Sequence, residues 1–311
     1  MRSKFLVKAL ALFFSSVALA QQTSPPRPAI TGISHITLYA DDRAKSKEFY
    51  ATLLGWEAVP PTGTQSGLRF YANHWQYVKL LSPPQPGLAN RLETVGFSTG
   101  DAESLRKFLG ASGVQVPAAL TVHQDGSRSF LVHDPEENKI EFTQEGDYVP
   151  AVPKSASQRL SSHIIHTGYL VRDRAALDHF YKDLLGFHLY WQGGAQEGGH
   201  IDWVMMQVPN GTDWVEYMLY LPAHPPRAEL GSANHIAPGV VSVAELQKKL
   251  EQRGWKPADN KNPQVLGVDG KMQLDLTDPD GTRVEFMEFA PVRKPCCSPY
   301  TGPQPAPSSA W

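Results

Sequence analysis

Apolar residues in this chain follow two rhythms that take turns along it. Short runs rich in Val, Ile, Tyr and Phe predict strands: HTGYLV from His166, WVEYMLYL from Trp214, NHIAPGVV from Asn234 and TRVEFMEF from Thr282. Between them the period lengthens. Leu177, Phe180, Tyr181 and Leu184 recur at i, i+3, i+4 and i+7, which predicts a helix over Arg174–Leu185, with Gly186 placed to end it in the left-handed conformation. Strands are expected around Tyr190, at Asp202–Val208 and at Trp214–Leu221. The same order then recurs. A strand at Asn234–Val241 leads to a capping box of Ser242 and Glu245, an apolar face at Leu246 and Leu250, and a stop at Gly254. Strands follow up to the turn Asp278-Pro279-Asp280-Gly281 and the run Val284–Phe289.

The pattern is duplicated. HITLYADDRAKSKEFYATLLGW, from His35, matches HTGYLVRDRAALDHFYKDLLGF, from His166, at a constant offset of 131. HDPEENKIEF, from His133, matches TDPDGTRVEF, from Thr277, at an offset of 144. The unit is strand, helix and three strands, and the chain carries four of them. This predicts an α+β fold of four βαβββ modules, paired into two half-open barrels with inward residues from both members of a pair. The first domain is expected at 31–149 and the second at 163–290, joined by a Pro/Ser linker at 150–162. A polar, Pro-rich lead (21–30) and a Pro-rich tail (291–311) are expected to be disordered.

Composition adds a location and removes some partners. With 41% apolar and 19% charged residues and a formal charge of −2, nothing points to nucleic acid or an anionic membrane. At the N-terminus Arg2, Lys4 and Lys8 precede an apolar run, Ala9–Leu19, and the small residues Ala18 and Ala20. Residues 1–20 therefore read as a signal peptide, too short for an ordinary membrane span, and the protein is expected to be exported to the periplasm or secreted. The only cysteines, Cys296 and Cys297, are adjacent in the tail and cannot staple a fold of this size.

Candidate chemistry gathers in the second repeat. His166, Glu216, His235 and Glu285, spaced by 50, 19 and 50, each sit in a strand-like run. Two imidazoles and two carboxylates suit one divalent metal ion (Fe2+, Zn2+, Mn2+ or Ni2+) if the sheet brings them together. His163 competes with His166 for the first position, but only His166 keeps the repeat offset. Trp191, Trp203, Trp214 and Tyr217 are candidates for an apolar pocket wall, with burial in the core as the plainer reading. The loop from Gly193 to Gly199 is a candidate lid, or simply a flexible connection. Asp134-Pro135 and Asp278-Pro279 are turn chemistry.

The doubled H…D…FY-x-x-L-L-G opening, with the DPEENKIEF and DPDGTRVEF closing segments, resembles the vicinal oxygen chelate superfamily of glyoxalases, bleomycin-resistance proteins and extradiol dioxygenases over Ile33–Phe289. The resemblance implies His166, Glu216, His235 and Glu285 as metal ligands, with His35, Gln76, Thr94 and Glu141 at the corresponding first-domain positions. Thr94 cannot replace an imidazole, so one ion is expected, in the second domain. The resemblance further implies capture of two neighbouring substrate oxygens, with isomerase- or lyase-type proton transfer by a ligand carboxylate, Glu216 or Glu285. An Fe(II) extradiol dioxygenase is the alternative. Against it, Asp275 stands where such enzymes carry an acid/base Tyr, and Lys261–Val268 and Asn210–Trp214 hold no His. A small-molecule binder without catalysis is the third reading. Export also argues against glutathione as co-substrate.

Overall fold

Each strand-like run falls in one of two eight-stranded sheets, one per repeat. They are seen in a computed structural model that describes residues 26–60, 67–146, 158–222, 224–257 and 262–308. The first sheet is ordered β2 (Glu57–Val59), β3 (Leu68–Tyr71), β4 (Tyr77–Leu81), β1 (Ile30–Tyr39), β5 (Leu92–Thr99), β8 (Lys139–Gln144), β7 (Arg128–His133), β6 (Thr121–Val122). The second repeats that order as β10 (His188–Gly193), β11 (Trp203–Gln207), β12 (Trp214–Met218), β9 (Ile164–Leu170), β13 (Ile236–Val240), β16 (Arg283–Glu288), β15 (Met272–Thr277), β14 (Gln264–Leu266). In every module the first strand lies parallel to the last, and the first strands of paired modules meet antiparallel at the centre. This is the expected α+β architecture of paired βαβββ modules.

Alternation along the strands decides what each sheet face does. Val78, Leu80, Val95, Phe97, Ile140 and Phe142 in the first sheet face the helices and are buried, as are their counterparts such as Val215, Ile236, Val284 and Phe286 in the second. The helices laid on that face are α1 (Arg43–Lys47), α2 (Ala102–Ala111), α3 (Arg174–Asp178) and α5 (Val243–Gln252), whereas α4 (Arg227–Ala233), which precedes the last module, packs against Leu170 and Met218 on the other side of the sheet. The Ser242 hydroxyl accepts from Glu245 N at 3.3 Å, so half of the expected capping box is present. No helix among the described residues is long and apolar enough to cross a membrane.

Two local expectations change. The helix expected over Arg174–Leu185 is α-helical only to Asp178; His179–Leu184 is π-helical, with Leu185 N bonded to Phe180 O at 3.0 Å. Its repeat does the same, with α1 followed by a π stretch at Glu48–Leu53. A four-residue apolar period cannot distinguish these forms, because a π turn adds only one residue to the count. The tail is the second change. It does not stay disordered over 291–308 but runs along β10, the open edge of the second sheet. Thr301 N donates to Tyr190 O at 3.0 Å, and Ser298 Oγ joins Gln192 N and O. A Pro-rich segment has no core of its own, but an unpaired strand edge supplies the partners it lacks. Cys296 and Cys297 form a disulfide within it. The expected signal peptide, the first five residues of the lead and most of the linker lie outside the described residues. Residues 26–30 of the lead run into β1, which begins at Ile30.

The duplicated motif residues turn out to hold the two repeats together. The Tyr50 hydroxyl donates to Asp278 at 2.9 Å, and Tyr181 donates to Asp134 at 3.3 Å, each crossing to the other repeat. Asp280 accepts from Asp41 N at 2.8 Å, as Glu136 accepts from Arg172 N at 2.5 Å. All four pairs obey the repeat offsets. Asp134 and Asp278 are almost fully buried, so a lost donor leaves a carboxylate oxygen short of partners in a dry site. Tyr50→Phe should therefore lower the free energy of urea unfolding by about 1–3 kcal/mol, and Tyr181→Phe, with its longer bond, by less. Unchanged unfolding curves for both variants would show that these hydroxyls do not tie the repeats.

Candidate metal centre

The strand register of the second sheet brings all four candidate residues to one point on its concave face. His166 on β9 lies beside Trp214 on β12, which places Glu216 two residues further on the same face. His235 immediately precedes β13, and Glu285 comes from the neighbouring β16. His166 Nε2 and His235 Nε2 are 3.0 Å apart, and Glu285 Oε2 is 3.2 and 3.1 Å from them. Glu216 Oε2 is 3.3 Å from His235 Nε2 and 3.9 Å from His166 Nε2. The four donor atoms all lie within 4.8 Å of one another, and all four residues are buried.

Such a cluster makes chemical sense around a cation. His235 Nδ1 faces Ala233 O at 2.9 Å, so its proton sits there and the Nε2 lone pair points into the cluster. The two carboxylates facing that lone pair set acceptors against an acceptor. For metal–ligand bonds of about 2.0–2.2 Å, neighbouring corners of an octahedron lie roughly 3 Å apart, as most of these separations do. The residues fit a divalent ion.

The surroundings hold the donors in place. The Trp214 ring stacks on His166 at 4.7 Å. His235 lies over Gly168, where an added Cβ would stand 2.1 Å from its Cε1. Arg283, two residues before Glu285, lies against the His235 ring and 3.6 Å from Glu285 and from Asp275. Burial raises the Glu285 carboxyl, but Arg283 and the two imidazoles outweigh it and hold the group well below the usual carboxylate range. Burial lowers His166, whereas in His235 the two carboxylates overcome burial and the Arg283 charge and raise it. Asp275, opposite Glu285 on β15, has its side chain half exposed beside Arg283.

The remaining candidates divide. His163 bonds Asp213 at 2.7 Å and Ala306 O at 2.6 Å at the junction of the repeats, away from the cluster. Trp191 and Trp214 pack with Met205 and Met287 on the concave side, and Trp203 meets Tyr220 edge-on at 5.6 Å. Tyr217 points to the helix face and is core. The Gly193–Gly199 loop joins β10 to β11, with Ala195 N donating to Asp202 at 3.1 Å. Gly168 and Arg283 are site residues that the sequence reading did not single out. The repeat offset marks the first, because Gly168 stands where the first domain has Thr37.

A sequence model of the Glyoxalase/Bleomycin resistance protein/Dioxygenase superfamily matches residues 32–142 and 163–286. The chain belongs to this superfamily. Members of known structure share its vicinal oxygen chelate fold. A variant of homoprotocatechuate 2,3-dioxygenase from Brevibacterium fuscum superimposes with a TM-score of 0.64 at 18% identity, over 90% of this chain and 76% of its own. The native enzyme from Arthrobacter globiformis gives 0.64 at 17%, over 86% and 82%. At such identities the likeness speaks for the fold alone. No curated protein sequence matches the chain.

The fold also corrects the first-domain correspondence. Tyr77 pairs with His35 as Trp214 pairs with His166, so Lys79, not Gln76, occupies the place of Glu216. Gln76 instead donates to Ile33 O and Ile164 O across the junction. The loop before β4 has no landmark in the sequence, and only the pairing register fixes the count. Thr94 does occupy the place of His235, and Glu141 that of Glu285. The first cup has thus exchanged two metal donors for an ammonium and a hydroxyl, and it has Thr37 where a second imidazole would need glycine.

Two outcomes follow from this geometry. Gly168→Ala should displace His235 and weaken metal binding by 10–100-fold, on the order seen when a ligand loses its support, with the far-UV circular dichroism unchanged. Full metal retention would show that the ring has room to move. Thr37→Gly combined with Lys79→Glu and Thr94→His should raise the metal content measured by elemental analysis to twice that of the parent; an unchanged content would mean that the first cup lacks the shape as well as the ligands.

Proposed function

We propose that the protein is a metal-dependent enzyme of the vicinal oxygen chelate type, with one divalent ion (Fe2+, Zn2+, Mn2+ or Ni2+) held by His166, Glu216, His235 and Glu285. It acts, on this reading, on a small substrate with two neighbouring oxygens, through isomerase- or lyase-type proton transfer. The observation that carries the reading is the fourth donor. With Glu216 in the cluster, four corners of an octahedron are taken and two remain for a bidentate substrate. The ion, when bound, polarises those oxygens and acidifies the adjoining carbon.

The side chains divide the remaining work. Glu285 is tied to Arg283 and to both imidazoles, which suits an anchor. Among the described residues Glu216 pairs with the two imidazoles and with no cation, so it is the carboxylate freer to take a proton from substrate and return it. The concave wall of Trp191, Met205 and Met287 excludes water from that exchange. Export, expected from residues 1–20, places the substrate outside the cytoplasm and argues against glutathione. Ring-cleaving oxygenation is the weaker reading, since Asp275 and not a tyrosine faces Glu285.

Purified protein should carry a single equivalent of divalent metal. His235→Ala should abolish metal and activity together, whereas Glu141→Ala in the first cup should leave both. Glu216→Gln should keep most of the metal while kcat falls by about 10²–10⁴-fold, the usual worth of a proton-transfer group. Metal loss on Glu141→Ala equal to that on His235→Ala defeats the assignment, and oxygen uptake with catechols would transfer it to the dioxygenase class.

A further inference from the structure

The tail crosses the mouth of the second cup. After β16 it first follows the turn between β14 and β15, where Val292 N donates to Gly270 O and Cys296 N to Val268 O, each at 2.8 Å. It then reaches β10, where Trp191 Nε1 donates to Cys296 O at 3.1 Å and Thr301 N to Tyr190 O at 3.0 Å. β14 and β10 are the two ends of this sheet, so the tail bridges the opening that a half-barrel leaves. Its inner side is bonded to the wall of the metal cluster. The Tyr300 hydroxyl donates to Asp269 at 2.9 Å, and Gln304 Oε1 accepts from Lys271 Nζ at 2.7 Å and from the Tyr190 hydroxyl at 2.6 Å. Lys271 is fully buried, and its ammonium lies 5.8 Å from the centre of the Trp214 ring that stacks on His166. With the tail in place, none of the four metal-cluster residues is more than 6% exposed.

The end of the tail is fastened where the two repeats meet. His163 Nδ1 faces Ala306 O at 2.6 Å, and its Nε2 faces Asp213 Oδ1 at 2.7 Å. A carbonyl and a carboxylate can only accept, so the ring satisfies both when both nitrogens carry protons, as the imidazolium. Asp213 is itself fixed, since its Oδ2 accepts from Ile33 N at 2.8 Å and from Gln76 Nε2 at 3.2 Å. Asp213 is the charged group bonded to the ring. The Phe289 ring, 6.2 Å away, adds no charge, and Glu145 is the other titratable group lining the cavity of about 600 Å3 that His163 shares with Trp75 and Ala306. Burial lowers the His163 imidazole, but Asp213 and the Ala306 carbonyl outweigh it and raise it above its ordinary value. A raised imidazole keeps its bonds at low pH and loses one as pH rises through the raised value. The proton kept is the one facing Asp213, so the bond lost is the one to Ala306.

We propose that residues 291–308 form a lid over the metal cluster, latched by the charged His163 ring at Ala306 O and released when that ring loses its proton. The proposal rests on the metal assignment made above and adds a control of access to it. The test uses the full-length protein loaded with Zn2+. Hydrogen exchange of the tail peptides, corrected for the intrinsic effect of pH, should lose about tenfold or more of its protection between about pH 6 and about pH 9. His163→Gln, which cannot carry the charge, should lack that protection at both. EDTA should strip Zn2+ about tenfold faster from His163→Gln than from the parent at about pH 6, and at nearly the same rate at about pH 9. A chain ending at Pro305 loses the acceptor and keeps every side chain of the junction, so it should behave as His163→Gln does. Tail protection in the parent that does not fall with pH overturns the latch, and stripping at equal rates from the parent and both variants at about pH 6 overturns the lid. A parent that binds no Zn2+ overturns the metal assignment instead; tail exchange in that protein still decides the latch, because equal protection of parent and His163→Gln overturns it.

Discussion

Two imidazole nitrogens 3.0 Å apart, with two carboxylates beside them, form an arrangement that a fold must enforce. Each donor comes from a different segment: the two central strands' neighbourhoods, β12 and β16. None of these positions is adjacent to another in sequence. What enforces the meeting is the parallel pairing of each module's first strand with its last, together with antiparallel contact between modules at the centre. A slip of one residue in any of these registers would turn a donor from the cup into the helix-facing core. The apolar residues beside the donors, Val215, Ile236 and Val284, oppose that slip because their burial under the helices would be lost. Packing on one face of the sheet thereby fixes the chemistry on the other.

Duplication shows which features serve the fold and which serve the site. The cross-repeat bonds of Tyr50, Tyr181 and the acidic turns are kept in both directions, because each half needs the same contact with its partner. The metal donors are kept in one direction only. In the first cup Thr37 occupies the space over which the second cup lays His235, and Lys79 supplies a fixed positive charge where Glu216 would meet an ion. These are coordinated differences. A change at Thr94 alone would leave a cavity shaped for a ring, whereas Thr37 and Lys79 together rebuild the face as a different polar surface.

Much of this was legible in the sequence because it repeats. Offsets of 131 and 144 expose the modules, and the strand-like runs locate His166, Glu216, His235 and Glu285 on them. What escaped had a physical reason in each case. The π-helical turns share an apolar period with α-helix at this length. Gln76 stands opposite Glu216 in the sequence because a loop without landmarks hides the strand register. The tail looked disordered because its partners are the backbone groups of a distant edge strand, and composition carries no trace of such pairing. Arg283 sat in plain view inside the TRVEF run, but its role depends on strand β15 bringing Asp275 alongside.

Charge balance in the buried site bears on which carboxylate moves the proton. Glu216 and Glu285 together match the charge of a divalent ion, and Asp275 stands against Arg283 at 3.6 Å, so the loaded site has no net charge to dispose of. A buried site of low effective dielectric resists any step that leaves an uncompensated charge behind. If a substrate carbon gives up its proton to solvent, the site gains a negative charge within that apolar wall. If the proton passes to Glu216, the total is unchanged throughout the exchange. Arg283 and the imidazoles surround Glu285 and stabilise its charged form. On the function proposed, the contacts of Glu285 with Arg283 and both imidazoles suit an anchoring ligand, and the lighter tethering of Glu216 suits the base.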